Sequence, residues 1–156
     1  MKRIMTAFLV CVLVLSLTAC GSGKSKAAEV DMDALAADLL SSGGFTDSLN
    51  QPADGVAERL YDLGEGDASQ VLLYTGTGST AEELFLAKAG GADAAALRAA
   101  CEKRVENQIK VFQNYAPEEV AKLEAAVLTV AGDTVILAVS ADAAAAQAVV
   151  DRYLGA

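Results

Sequence analysis

The chain has 156 residues, a length that suits one domain rather than two, with 12 basic residues against 21 acidic, no histidine and no tryptophan. An acidic chain without a basic stripe binds phosphate backbones poorly, which argues against nucleic acid as a partner. Without histidine there is no Ser-His-Asp or Cys-His pair and no His-ligated metal site.

At the amino terminus, Lys2 and Arg3 precede Ile4 to Leu17, which is apolar except for Thr6 and Ser16. This is the charged and apolar plan of a secretory signal. It is shorter than the roughly 20 residues that a spanning helix needs. The run leads into Leu17-Thr18-Ala19-Cys20-Gly21, which resembles the lipobox of bacterial lipoproteins. Small residues before Cys20 admit a peptidase, and the thiol is a soft nucleophile able to form a thioether with a diacylglyceryl group. Residues 1–19 are therefore expected to be a lipoprotein signal peptide and Cys20 the lipidated residue. Two acyl chains give stable anchoring where one gives marginal binding.

Residues 20–29 read as the lipidated cysteine and a flexible linker. From Gly21 to Ala28 the random-coil reach is roughly 15 Å. Gly23-Lys24-Ser25 matches the end of a phosphate-binding loop, but Thr18 stands where the upstream glycine is required and no strand precedes it. Lys24 and Lys26 suit anionic headgroups. From Val30 onward the count is 8 basic and 20 acidic residues, a difference of −12, so the domain is expected to stand off the same surface.

The remainder, residues 30–156, is expected to form a single globular domain. Asp31 caps a helix running to about Ser42, ended by Gly43-Gly44. Gly55 to Leu63 holds a helical turn. Gln70 to Thr75 reads as a strand. Glu82 to Ala89 carries conflicting signals: Thr80 with Glu83 resembles a helix capping box, while the apolar run ended by Gly90-Gly91 favours a strand. The strand is the reading adopted. Ala92 to about Tyr115 is a long helix whose apolar stripe is Leu97, Cys101, Val105, Ile109 and Phe112, with Glu106 and Lys110 paired on the wet side. Ala116-Pro117 ends it and starts a short helix. Val127 to Val130 and Thr134 to Val139 form a hairpin about Gly132-Asp133. Ser140 or Asp142 caps a last helix ended by Gly155. The expected fold is α+β: two layers, with an antiparallel four-stranded sheet of two hairpins packed by the long central helix and the terminal helices.

Several residues invite a chemical role. Cys101 is the one thiol left after processing; mid-stripe, it reads as a small buried hydrophobe rather than a nucleophile. Asp62, Glu65 and Asp67 surround two glycines, but Leu63 and Gly64 stand where a Ca²⁺ loop needs ligands, so a solvated turn is expected. Thr75-Gly76-Thr77-Gly78-Ser79-Thr80 could cradle an anion through backbone N–H groups if it led into a helix; before a strand it is a hairpin loop. Tyr61, Tyr74, Tyr115 and Tyr153 are expected to be half-buried fillers. Glu118 and Glu119 are accounted for by the negative charge that a helix N-terminus favours. The acidic residues fall mostly on loops, helix starts and wet helix faces. No catalytic residue, metal ligand or cofactor-binding residue is assigned, and no cofactor is expected.

Thr80-Ala81-Glu82-Glu83 before an apolar strand, Arg104 with Gln108, Tyr115-Ala116-Pro117-Glu118-Glu119, and Gly132 before Val135-Ile136-Leu137 carry a resemblance. Through them, Leu72 to Ser140 resembles a family of small Gram-positive lipoproteins carrying domain of unknown function 4358. The resemblance implies an exported, lipid-anchored protein and assigns no activity. This sequence departs from it where alanine takes the place of charged helix residues, as in Ala143 to Ala146. The expected protein is a non-catalytic binding or accessory module of the cell envelope, held at the outer face of the bacterial cytoplasmic membrane by Cys20, with an envelope protein or glycan as partner. The alternative is a carboxylate-dependent hydrolase or transferase acting on envelope polymers, using a pair among Asp62, Glu65 and Asp67.

Overall fold

The computed structural model describes residues 29–155; the expected signal peptide, Cys20 and most of the expected linker lie outside them. The described chain forms helix α1 (Met32–Ser42), helix α2 (Val56–Tyr61), strand β1 (Ala68–Thr75), strand β2 (Glu83–Ala89), helix α3 (Ala94–Tyr115), a 3-10 turn (Pro117–Glu119), helix α4 (Val120–Glu124), strands β3 (Val127–Ala131) and β4 (Thr134–Val139), and helix α5 (Ala143–Leu154). The strands make one antiparallel sheet in the order β1-β2-β4-β3. The α+β class, the two hairpins and the long helix all hold.

Helix starts follow local chemistry. The side chains of Asp31, Asp93 and Asp142 each accept from the backbone N–H three residues on, satisfying a donor that the first helical turn leaves orphaned. Asp142, not Ser140, is thus the cap of α5. The β3–β4 turn is Gly132-Asp133, where Gly132 takes φ of 62°, the left-handed geometry a two-residue hairpin favours at its first position.

The layer count differs from expectation. Met32, Leu35, Leu39, Val149 and Val150 of α1 and α5 pack on Leu84, Leu86, Ile136 and Ala138 from one side. Tyr61, Leu97, Cys101, Phe112 and Leu123 pack on Phe85, Ala87, Val135 and Leu137 from the other. Helices cover both faces, so the domain has three layers. Each hairpin is followed by a helix, but α3 and α5 land on opposite faces. The central strands β2 and β4 are buried on both sides, and such strands read as continuous apolar runs instead of alternating. That is why residues 82–89 gave no clear strand period. The two ends of the domain meet at Gly44, where Asp142 N donates to the Gly44 carbonyl at 3.2 Å. A Cβ on Gly44 would lie 2.5 Å from that of Asp142.

Of the α3 stripe, Leu97, Cys101 and Phe112 are buried, and Val105 and Ile109 are partly covered. On the wet side Arg98 and Glu102 pair at 2.9 Å, and Glu106 and Lys110 form no ion pair. Among the described residues no helix is long and apolar enough to cross a membrane.

Candidate functional site

The polar chemistry of the domain gathers where β2 begins. Successive strand residues point to opposite faces. Glu83 shares the α3 side with Phe85, between α2 and α3. There Tyr61 donates its hydroxyl to Glu83 Oε1 at 2.6 Å, and Arg104 donates Nε to Oε1 at 3.0 Å and Nη2 to Oε2 at 2.6 Å. The Tyr61 ring stacks on Phe85 with centroids 3.7 Å apart, and Arg104 lies 6.0 Å from its centroid. Burial first, then the Glu83 carboxylate, pushes the Tyr61 hydroxyl well above the usual tyrosine range.

Glu82 is only 2% exposed. Thr46 N and Asp47 N donate to its Oε2 at 2.7 and 3.0 Å, and the Thr46 hydroxyl and Lys122 Nζ donate to Oε1 at 2.6 and 3.0 Å. Burial pushes this carboxyl upward, but the bonds from Asp47, Thr46 and Lys122 outweigh it and hold it below the usual carboxylate value. Lys122 also reaches Glu119 at 2.9 Å, and Glu119 Oε2 accepts from Ala81 N at 2.9 Å. One lysine of α4 therefore bridges two carboxylates, and its ammonium is held charged: burial works against it and the bonds to Glu119 and Glu82 prevail. At the end of β4, the buried Ser140 hydroxyl has no partner among the described residues.

The glycine-rich loop does cradle an anion, and the anion is the chain's own. Thr80 Oγ1 and Thr77 N donate to Asp47 Oδ2 at 2.8 and 3.3 Å. The Thr80 bond, with those from Ser48 and Thr77, lowers the Asp47 carboxyl. Gly76 lacks a side chain where a Cβ would sit 2.2 Å from Asp47 Oδ2. Gly76 N, Thr77 N and the Thr80 hydroxyl, donors that an external anion would use, are thus engaged within the chain.

This cluster is chemically closed. Glu82 accepts from four donors, which occupies the lone pairs a general base needs, and Glu83 accepts from three, with both of its oxygens engaged. A general acid needs a raised carboxyl pKa, and Glu82 moves the other way. Charge-assisted bonds of this kind tie loops and helices to a strand end.

The residues singled out from the sequence scatter. Asp62 is exposed, takes the left-handed φ of 56° that ends α2, and pairs with Lys103 at 2.9 Å. Asp67 accepts from Gly64 N at 2.7 Å within its own turn, and Glu65 is exposed. Among the described residues no group of three His, Cys, Asp or Glu could hold a metal. Cys101 is fully buried, and burial followed by Glu83 pushes its thiol up to about 12. The tyrosines are not alike: Tyr61 is buried and specifically bonded, Tyr74 and Tyr153 are half-buried, and Tyr115 is 67% exposed. Glu118 is exposed, but Glu119 is buried and bonded, so helix-terminus charge does not account for it. Most acidic residues do lie on wet surfaces, and Glu82, Glu83 and Glu119 are the buried exceptions among the described residues. The sequence held only a partial hint, two adjacent glutamates before an apolar strand and Arg104 three residues after Cys101 at the margin of the α3 stripe, and neither names the partner of the other.

Grooves also mark the surface of the described residues, three of them notable. Two flank α2 over β1, of about 290 and 360 Å³, and share Glu58 and Val71. The third, about 270 Å³, lies between α3 and the β3 side of the sheet, with Val105, Leu123, Leu128 and Leu137 below and Glu102 and Glu106 at its rim.

Residues 42–140 match the family described as Domain of unknown function (DUF4358), more than half of the chain, and the chain belongs to that family. No curated protein and no solved structure matches it.

Proposed function

We propose that this protein is a non-catalytic accessory or binding module of the bacterial cell envelope, tethered outside the cytoplasmic membrane by a diacylglyceryl group on Cys20. The observation that supports the non-catalytic reading is the engagement of the buried carboxylates: each oxygen of Glu82, Glu83 and Glu119 accepts from at least one donor of the chain itself. Support for the anchor is the run from Leu17 to Gly21 behind its basic and apolar segment.

Each half has its own test. Cys20→Ala is expected to move the protein from the membrane fraction to the soluble one or to block its processing, read by fractionation and intact mass. A variant that stays membrane-bound and normally processed overturns the anchor. Incubating the purified protein with cell-wall glycans, while following reducing ends and released acyl groups, is expected to show no turnover. Turnover lost in Glu65→Gln and kept in Asp62→Asn and Asp67→Asn would promote the hydrolase instead.

A further inference from the structure

The two edges of the sheet are treated differently. At β1 the pairing with β2 breaks register between Ala68 and Gln70, Asn50 bridges Thr75 at the other end, and α2 lies over its α3-side face. These are ways in which proteins blunt an edge. Helices α3 and α5 pack on the faces of β3, but among the described residues no register break and no bridge protects its edge. Its sequence Val-Leu-Thr-Val-Ala carries no charge, proline or glycine, and its register with β4 is unbroken. From Ala125 to Ala131 there is no charged residue, the composition of a segment prone to strand pairing. A two-residue turn makes Ala131 and Thr134 a hydrogen-bonded pair, and bonded pairs alternate along the ladder. The backbone N–H and C=O groups of Leu128 and Val130 therefore point away from β4, and Val130 is 38% exposed.

The groove of about 270 Å³ adjoins this edge on the α3 side, with Leu128 in its floor. Its rim is acidic and no basic residue lines it. Glu102 has only the exposed Arg98 as partner, and Glu106 has no ion pair or hydrogen bond among the described residues. We propose that the β3 edge and this groove form a docking site for an extended lysine- or arginine-bearing segment of a partner protein, which joins the sheet as a further strand. Main-chain bonds to Leu128 and Val130 give affinity in such strand addition, and alternate side chains give specificity. Apolar side chains of the incoming strand enter over Leu128, and basic ones meet Glu106 and Glu102. A second copy fits less well, since it would bring the same acidic rim and a domain with 8 basic and 20 acidic residues against its like. The inference deepens the accessory-module reading and rests on it. Its test uses neither glycans nor membrane fractions, so the two fail separately.

The probe is a fluorescent ten-residue peptide alternating valine and lysine, added to the full chain in non-ionic detergent and followed by anisotropy and amide hydrogen exchange. The lysine peptide is expected to bind, the same peptide with glutamate for lysine is not, and Glu106→Lys is expected to weaken binding roughly five-fold, the scale of an exposed charge pair. Val130→Pro removes one outward N–H and is expected to abolish binding. Should that variant not fold, exchange on the wild type decides: the peptide must slow the Leu128 and Val130 amides and leave those of β1 unchanged. Binding without that protection is general charge attraction and overturns the proposal. Protection without peptide also overturns it, assigning the edge to a second copy if it grows with protein concentration and to another segment of this chain if it does not.

Discussion

Replacing Glu82 by glutamine keeps the volume and removes one accepting oxygen. In the native protein four donors converge on this carboxylate, at 2.6 to 3.0 Å. A glutamine oxygen can retain Thr46 N and Asp47 N, and the Thr46 hydroxyl can rotate to accept from the new amide. Lys122 then faces an N–H₂ group and keeps only Glu119. Losing one bond between charged groups in a buried setting, with the lysine partly uncompensated, costs about 3 kcal/mol. For a domain of this size that lowers Tm by roughly 10 °C. Urea unfolding followed by circular dichroism measures it, with the exposed Asp54→Asn as a control expected within about 0.5 kcal/mol of wild type. The pH dependence has a definite sign. The Glu82 carboxyl is lowered in the fold, so its contribution is fully present above its ordinary value of 4.5 and is lost as pH falls through the lower folded value. The deficit of Glu82→Gln seen at neutral pH must therefore narrow in acid. A deficit under about 0.5 kcal/mol at neutral pH, or one that does not change with acid, would refute the account of Glu82 as a tie between loop, strand and α4.

Arg104→Met leaves Glu83 buried with Tyr61 as its sole remaining donor and is expected to cost about 3–5 kcal/mol, whereas adding Glu83→Leu should recover much of that; a double variant no more stable than the single one contradicts the pairing. Cys101 should resist polar thiol reagents until the protein unfolds. Because its thiol is raised from 9.0 to about 12 in the fold, the wild type should lose stability relative to Cys101→Ala as pH rises above 9.0, and rapid native labelling would show that α3 faces another way. Gly76→Ala forces the Asp47 carboxylate away from Thr80 and Thr77 and should cost about 1–3 kcal/mol, with faster amide exchange at Thr77; unchanged unfolding and exchange would mean that the loop is not built around Asp47.

What could be read from the chain alone rests on chemistry within a few residues. Asp31 and Asp142 cap their helices because a carboxylate three residues before an orphaned N–H needs no distant partner. Gly132 makes the hairpin because its backbone tolerates φ of 62°, and the burial of Cys101 follows from helical spacing. The α+β class follows from the order of those elements. The number of layers did not, because hairpin order leaves open which face the next helix covers, and α3 and α5 chose opposite ones. The buried glutamates were out of reach for the same kind of reason. Whether a carboxylate leaves water depends on the donors that replace its solvation. Those of Glu82 and Glu83 come from Thr46, Lys122, Tyr61 and Arg104, between 21 and 40 residues away. No local pattern around Glu82 and Glu83 specifies them; only the packing of α2, α3, α4 and the residue 46–47 loop against the start of β2 brings them together.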